Sequence, residues 1–309
     1  MANTVFIFPG QGSQYAGMGK ELSANFRVAA DIFAEADEAL NFSLSRLCFQ
    51  GPDEELKLTA NTQPAILTAS VAALRVVQTE TGLLPTLLAG HSLGEYSALV
   101  ASGALSLADA VRTVRSRGSF MQEAVPVGVG AMAAILSVEA EILSEICAEA
   151  AQGEVVSTAN FNSPGQIVIA GHATAVTRAM EIAKARGFRK AMLLPVSAPF
   201  HCALMKSAAD RLAEVLDRVD VAPLSPPVVT NVEALANSDS GRVRELLVAQ
   251  VCAPVRWAQS VEEMIRLGGE IFVEIGPGKI LSGLVKRISK LPVTFNVEDL
   301  ASLKSLPPV

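Results

Sequence analysis

With 309 residues, half of them hydrophobic and 18% charged, the chain can bury a substantial core as one large domain with room for an insert. A formal charge of -6 and a pI near 5.3 argue against a general nucleic-acid binder. The four cysteines lie far apart with no C-x-x-C pair, which argues against a metal site or a disulfide framework and fits a reducing cytoplasm.

Val5 to Phe8 reads as a short strand cut by Pro9-Gly10, and nowhere do about 18 apolar residues run together. Neither a leader peptide nor a membrane span is expected. The following loop carries glycines at 10, 12, 17 and 19 ahead of Lys20. A phosphate loop needs Ser or Thr after that lysine, where Glu21 stands. A dinucleotide fingerprint needs glycine where Tyr15 stands. What remains is a strand opening into a flexible turn with free peptide N–H groups.

Leu87 to Gly94 (LLAGHSLG) is an apolar run ending in G-x-S-x-G, and EYSALVAS (95 to 102) continues as helix material. Such an elbow exposes a serine at its apex, at a helix N-terminus that favours developing negative charge, with the N–H of Leu93 facing the same space. Ser92 is therefore a nucleophile candidate; the alternative is a serine capping an ordinary βα turn. Ser106 to Asp109 opens the next helix as a variant capping box. Along it Ala110, Val114 and Met121 form an apolar stripe, and at about 100° per residue Arg117 falls on the edge of that stripe. Arg112 and Arg115 point the other way. An inward guanidinium pairs with a carboxylate, from the protein in an internal salt bridge or from a substrate.

Apolar runs alternating with helical stretches predict a parallel sheet flanked by helices. After Pro126 the order changes: strand 130–136, helix 138–151, strands 155–162 and 166–170, helix 173–186, strand 191–196. This βαββαβ order predicts a ferredoxin-like small domain over residues 126–198, inserted into an α/β-hydrolase-like large domain formed by residues 1–125 and 199–309. Residues 302–309 read as a loose tail.

Serine needs a base, and the chain holds three histidines. His91 adjoins Ser92, where side chains diverge at a tight elbow, and reads as a packed or hydrogen-bonded support. His172 ends a small-domain strand. His201, at the return from the insert, is the base by elimination, since such junctions line clefts. No carboxylate is marked out by spacing to orient it.

FPGQGSQ (8–14), GHSLGEYSAL (90–99), RGSFMQEA (117–124), GAMAAIL (130–136), NFNSPGQIVIAG (160–171), PVSAPFHCALM (195–205), TNV (230–232), QVCAPVRW (250–257) and EIGPGKIL (274–281) occur together and in order. Over essentially its whole length the sequence resembles the discrete malonyl-CoA:acyl carrier protein transacylases of fatty acid synthesis; acyltransferase domains of polyketide synthases share these motifs. The resemblance implies that Ser92 takes the acyl group and His201 its proton, with the imidazole held by the backbone carbonyl of Gln250. It implies that Arg117 binds the malonyl carboxylate, and that Gln11 and Leu93 supply main-chain N–H groups to an oxyanion. It also puts Phe200, His91, Asn160, Asn162 and Asn231 on the substrate side, Phe200 being the companion of malonyl rather than methylmalonyl use in the polyketide domains. The glycine-rich loop then holds an oxyanion, not a phosphate.

Implied partners are malonyl-CoA and an acidic acyl carrier protein, with no cofactor and a monomeric enzyme. Arg186, Arg189, Lys190, Lys286, Arg287 and Lys290 are docking candidates, a solvated basic surface being the alternative for each. Rival functions are a serine hydrolase or thioesterase using the same Ser-His pair, a polyketide-pathway acyltransferase, and a non-catalytic carrier-docking module.

Overall fold

The computed structural model describes residues 3–196 and 198–307. Its strands in chain order are β1 (Thr4–Phe8), β2 (Leu87–Gly90), β3 (Gly130–Leu136), β4 (Val156–Ser163), β5 (Gln166–His172), β6 (Ala191–Leu193), β7 (Val228–Val229), β8 (Ala236–Asn237), β9 (Ile271–Ile275) and β10 (Val293–Val297). They form two sheets, ordered β10-β9-β1-β2-β7-β8 and β4-β5-β3-β6. In the first, every pairing is parallel except β7 with β8. The second is antiparallel throughout.

β1 is buried along its whole length, and its side chains divide by alternation. Val5 and Ile7 join Trp257, Phe272 and Leu284 on one face. Phe6 and Phe8 face the larger cluster that holds the helix Thr59–Thr81. Burial on both faces is what an all-apolar strand in a parallel sheet requires. The helices Ala140–Ala151 and Ala173–Ala185 cover the second sheet with a separate apolar cluster including Ile135, Leu143, Ile146, Ile169 and Val176.

The βαββαβ order is present, and three details differ from the sequence reading. β6 stops at Leu193 instead of running to residue 196: Leu194 still donates to the carbonyl of Met132 at 2.9 Å, after which Val196 turns into the cleft. The expected tail is structured as far as residue 306. Asp299 and Ser302 make a reciprocal capping box for the helix Leu300–Leu303, and Leu303 is buried, so this segment belongs to the body; Pro308 and Val309 lie outside the described residues. At the helix Leu107–Glu123, Ser106 Oγ accepts from the N–H of Asp109 at 3.0 Å, while the Asp109 carboxylate turns back to the serine hydroxyl, so a single cap replaces the reciprocal box.

The two sheets are stitched along one seam. Val255 donates to the carbonyl of Ala159 at 2.9 Å, and its own carbonyl accepts from Phe161 at 2.9 Å, which ties the chain after the helix Val243–Cys252 to β4.

Candidate active site

Parallel pairing of β1 and β2, with Phe8 opposite Gly90, ends both strands at one level, so the glycine-rich loop and the elbow emerge side by side. Ser92 sits at the apex with φ 52°, in the left-handed region a non-glycine residue adopts only under constraint. The flanking glycines are steric necessities. A Cβ on Gly90 would lie 1.9 Å from the carbonyl carbon of Gly94, and one on Gly94 would lie 2.1 Å from the carbonyl oxygen of Phe8.

Three hydrogen bonds fix the elbow from outside. Asn231 Oδ1 accepts from the N–H of Ser92 at 2.6 Å, its Nδ2 donates to the carbonyl of Gly90 at 2.7 Å, and Gln250 Nε2 donates to the carbonyl of Ser92 at 3.0 Å. Asn231 has no exposed surface and is absent from the cavity wall, so the expected substrate contact is corrected: both ends of its amide are already used by backbone.

His201, also at positive φ (61°), places Nε2 2.8 Å from Ser92 Oγ, and its Nδ1 lies 2.8 Å from the carbonyl oxygen of Gln250. A carbonyl only accepts, so Nδ1 carries the proton and Nε2 is left to accept from the serine hydroxyl. The ring is buried at 3% exposure. Burial first, and the nearby Arg117 charge second, push its pKa down to about 3, so it is neutral and fit to act as a base at ordinary pH.

Arg117 is 2% exposed. Its Nη1 donates to Gln63 Oε1 at 2.8 Å, and its Nη2 to Gln250 Oε1 at 2.9 Å and to Ser92 Oγ at 3.1 Å. Nε has no partner among the described residues, and no carboxylate there forms an ion pair with this side chain. The guanidinium lies 5.6 Å from the centre of the Tyr96 ring. A buried cation held by neutral groups is a costly arrangement unless an anion completes it. The nearest candidate within the protein is Glu95, 2% exposed, whose Oε2 accepts from Gln250 Nε2 at 2.8 Å and from the N–H of Asn231 at 3.0 Å. Burial raises its pKa to about 7.

Ser92, His201, Arg117, Gln11, Leu93, Phe200, His91 and Asn160 all line one cavity. The peptide N–H groups of Gln11 and Leu93 donate to no acceptor among the described residues. Two unengaged donors beside a nucleophile are what a developing oxyanion needs. Gly10 permits this, since a Cβ there would come within 2.4 Å of the carbonyl oxygen of His91. Asn162 lies outside the cavity; its Oδ1 accepts from His91 Nε2 at 2.8 Å, and both line an adjoining pocket that also reaches Gln11. His172 is remote, with Nδ1 accepting from the N–H of Val155 at 2.9 Å.

The basic candidates are not equivalent. Arg186 is engaged by Glu149 at 2.5 Å and Glu145 at 3.4 Å, which corrects its reading as a free docking charge. Arg287 donates to Gln166 Oε1 at 2.7 Å on the rim of the adjoining pocket, and Lys290 Nζ caps the carbonyl of Lys286 at 2.7 Å. Arg189 and Lys190 lead into β6, with the carbonyl of Lys190 accepting from Leu136, the partner of Gln166. They therefore lie toward the same end of the second sheet as Arg287.

Sequence reasoning missed Gln63, Glu95, Met121, Met132, Leu194 and Val196 as parts of this site. Only Glu95 left a signal: a carboxylate in the first turn of an otherwise apolar helix, three residues after the nucleophile.

The acyl transferase domain model matches residues 5–307. The malonyl CoA-acyl carrier protein transacylase of Salmonella typhimurium is 52% identical over 288 residues, covering 93% of each chain. That of Bacillus subtilis is 51% identical over 300 residues, 97% of this chain and 94% of the relative. The solved structure of the malonyl CoA-acyl carrier protein transacylase from Coxiella burnetii superposes with a TM-score of 0.96 at 42% identity, covering 98% of this chain and 96% of that one. A structure described as a type II PKS acyl-carrier protein in complex with its malonyl-transacylase gives 0.96 at 48% identity, covering 98% of each. By a family match over nearly its whole length and by these identities, the chain belongs to the acyl transferase family, among the malonyl CoA-acyl carrier protein transacylases.

Proposed function

We propose that this chain transfers the malonyl group of malonyl-CoA to the phosphopantetheine thiol of an acyl carrier protein in fatty acid synthesis, through a malonyl ester on Ser92. The observation that carries this reading is the pairing, in one cavity, of a serine 2.8 Å from a neutral imidazole with a buried arginine that has no carboxylate partner among the described residues. A simple hydrolase has no use for that arginine.

Ser92 Oγ attacks the thioester carbon as His201 Nε2 takes its proton, and the carbonyl oxygen becomes an oxyanion facing the N–H groups of Gln11 and Leu93. Collapse expels the CoA sulfur, which leaves with the proton from His201. The carrier thiol then gives its proton to His201 and attacks the ester, and His201 returns that proton to Ser92 Oγ as it leaves on collapse. Arg117 fixes the far carboxylate by a bidentate pair, which positions the carbonyl. The same pairing offsets the positive charge that depresses His201, so the base strengthens when the correct acyl group is in place. Phe200, Met132 and Val196 wall the cavity with apolar surface that disfavours a competing water.

Supporting the division into a large α/β-hydrolase-like unit (1–125 and 199–309) and a ferredoxin-like unit (126–198) are the separate sheets and the separate apolar cluster of the second. We read the protein as a cytoplasmic monomer whose reaction uses only its own side chains and peptide groups on a CoA thioester; no helix among the described residues is long and apolar enough to cross a membrane. A polyketide pathway would change the carrier and leave the chemistry as written. Incubation with malonyl-CoA should add one malonyl mass to Ser92, absent in Ser92→Ala, and purified acyl carrier protein should then collect it. Release as free malonate at the same rate with and without carrier would establish a hydrolase instead.

A further inference from the structure

We infer that Glu95 is a positioning residue that sets the charge of the acyl pocket: it balances Arg117 while the pocket is empty and takes up a proton from solvent when a substrate carboxylate pairs with Arg117. This rests on the malonyl-transfer reading above and adds a proton to its binding step.

The geometry is a buried chain of three side chains. Gln250 Oε1 accepts from Arg117 Nη2 at 2.9 Å, and Gln250 Nε2 donates to Glu95 Oε2 at 2.8 Å, so one amide separates cation from carboxylate. Both charged groups are 2% exposed, and Gln250 has no exposed surface. The orientation of the Gln250 amide is dictated at both ends, since a guanidinium only donates and the Ser92 carbonyl only accepts. That amide belongs to the residue whose backbone carbonyl orients His201, so Glu95 also steadies the base at one remove.

The surroundings leave little else to hold the negative charge. Among the described residues Arg117 is the one positively charged side chain acting on Glu95, whose hydrogen bonds come from the Gln250 amide and the N–H of Asn231. Val243, Leu246 and Leu247 from the helix Val243–Cys252 pack nearby, with Leu99, Val228, Thr230 and Asn237, and none of these titrates. The remaining titratable members of the cluster are Tyr96, held up chiefly by its own burial, with Arg117 opposing and Glu95 adding to the rise, and His201, which stays neutral. Burial already brings Glu95 up to about 7 with Arg117 as its counter-charge. A substrate carboxylate that claims Arg117 removes that support and adds a second anion to the same buried space, and two such charges do not both persist there.

The sign follows by linkage. If the complex holds one more proton than the free enzyme, binding weakens as pH rises above the free carboxyl value. In the wild-type protein kcat/KM for malonyl-CoA should fall above about pH 7, approaching tenfold per pH unit, with kcat far less affected. Glu95→Gln keeps the shape and an acceptor for both donors but cannot titrate. Its kcat/KM should be flat from about pH 6 to about pH 8.5 and exceed wild type at the alkaline end. The same fall in Glu95→Gln, or a flat wild-type profile, would overturn the inference. So would a uniform loss of kcat in the variant with its pH profile unchanged, the mark of a merely structural role. Should Glu95→Gln not fold, infrared difference spectra of the wild-type protein before and after malonyl-CoA decide: a protonated-carboxyl band must appear, and its absence refutes the proposal. Failure of the malonyl-transfer reading is distinguishable, because then no pH gives transfer.

Discussion

Replacing Arg117 by Ala tests the heart of the assignment. The side chain is 2% exposed, with Nε unpaired and Nη2 reaching the nucleophile, so a malonyl carboxylate can take two parallel charge-assisted bonds from it. At about 1.5–3 kcal/mol each, losing both removes about 3–6 kcal/mol, or roughly 10²–10⁴ in kcat/KM for malonyl-CoA. Acetyl-CoA has no carboxylate to lose and should hold its rate or gain. The variant leaves the amide oxygens of Gln63 and Gln250 without their donor, a cost of about 1–3 kcal/mol each, partly offset by removing a buried charge. Thermal melting therefore accompanies the assay. Malonyl-CoA and acetyl-CoA compete for a purified carrier protein, and mass spectrometry gives the product ratio. A folded variant whose malonyl-to-acetyl ratio moves less than about tenfold would refute the role of Arg117.

Three further outcomes are expected. His201 must be neutral to accept a proton, and its pKa is pushed down to about 3, so kcat/KM should show no histidine limb between about pH 5 and about pH 7; Arg117→Ala removes a cation that opposes protonation and should move the acid limb upward. Gln11→Ala should cost less than about tenfold in kcat because the useful donor is its peptide N–H, whereas Gly10→Ala, which drives a Cβ to 2.4 Å from the His91 carbonyl, should cost about 10²–10³ by displacing that donor. Asn231→Ala leaves the Ser92 N–H and the Gly90 carbonyl unpaired in the interior and should destabilise the fold by about 2–4 kcal/mol, measured by denaturant unfolding, with a lower kcat in the folded fraction.

The parts of the site legible in the sequence are those whose chemistry is local. G-x-S-x-G declares itself because its glycines answer contacts within the same turn or with the adjacent strand, and the glycine-rich loop follows its strand directly. Arg117 was legible by helical phase, since a single apolar stripe sets which way residue 117 points. His201 came from scarcity, there being only three histidines to choose from. The carbonyl of Gln250 reached the reading only through family likeness, because any residue can present a backbone oxygen. Asn231 was placed on the substrate side only by family likeness, and nothing local reveals that the elbow, 139 positions away, uses both ends of its amide. Gln63 was missed for the same reason, its partner Arg117 lying on another helix; Glu95 left the trace of its first-turn position, but nothing local shows that Gln250 and the N–H of Asn231 use it. Arg186 was overvalued because its neutralising glutamates sit on a different helix of the same sheet.

The Val255 ladder rung has a mechanical meaning. It anchors β4 a few residues beyond the carbonyl on which the catalytic imidazole hangs, while on the opposite flank Leu194 donates to Met132, and Met132 and Ala134 of the second sheet pack in the same apolar cluster as Ala198 and Phe200. The second sheet is thus tied to the main core on both sides of the catalytic histidine. A base suspended from a doubly tied segment keeps its reach to the nucleophile while bulky thiol carriers come and go.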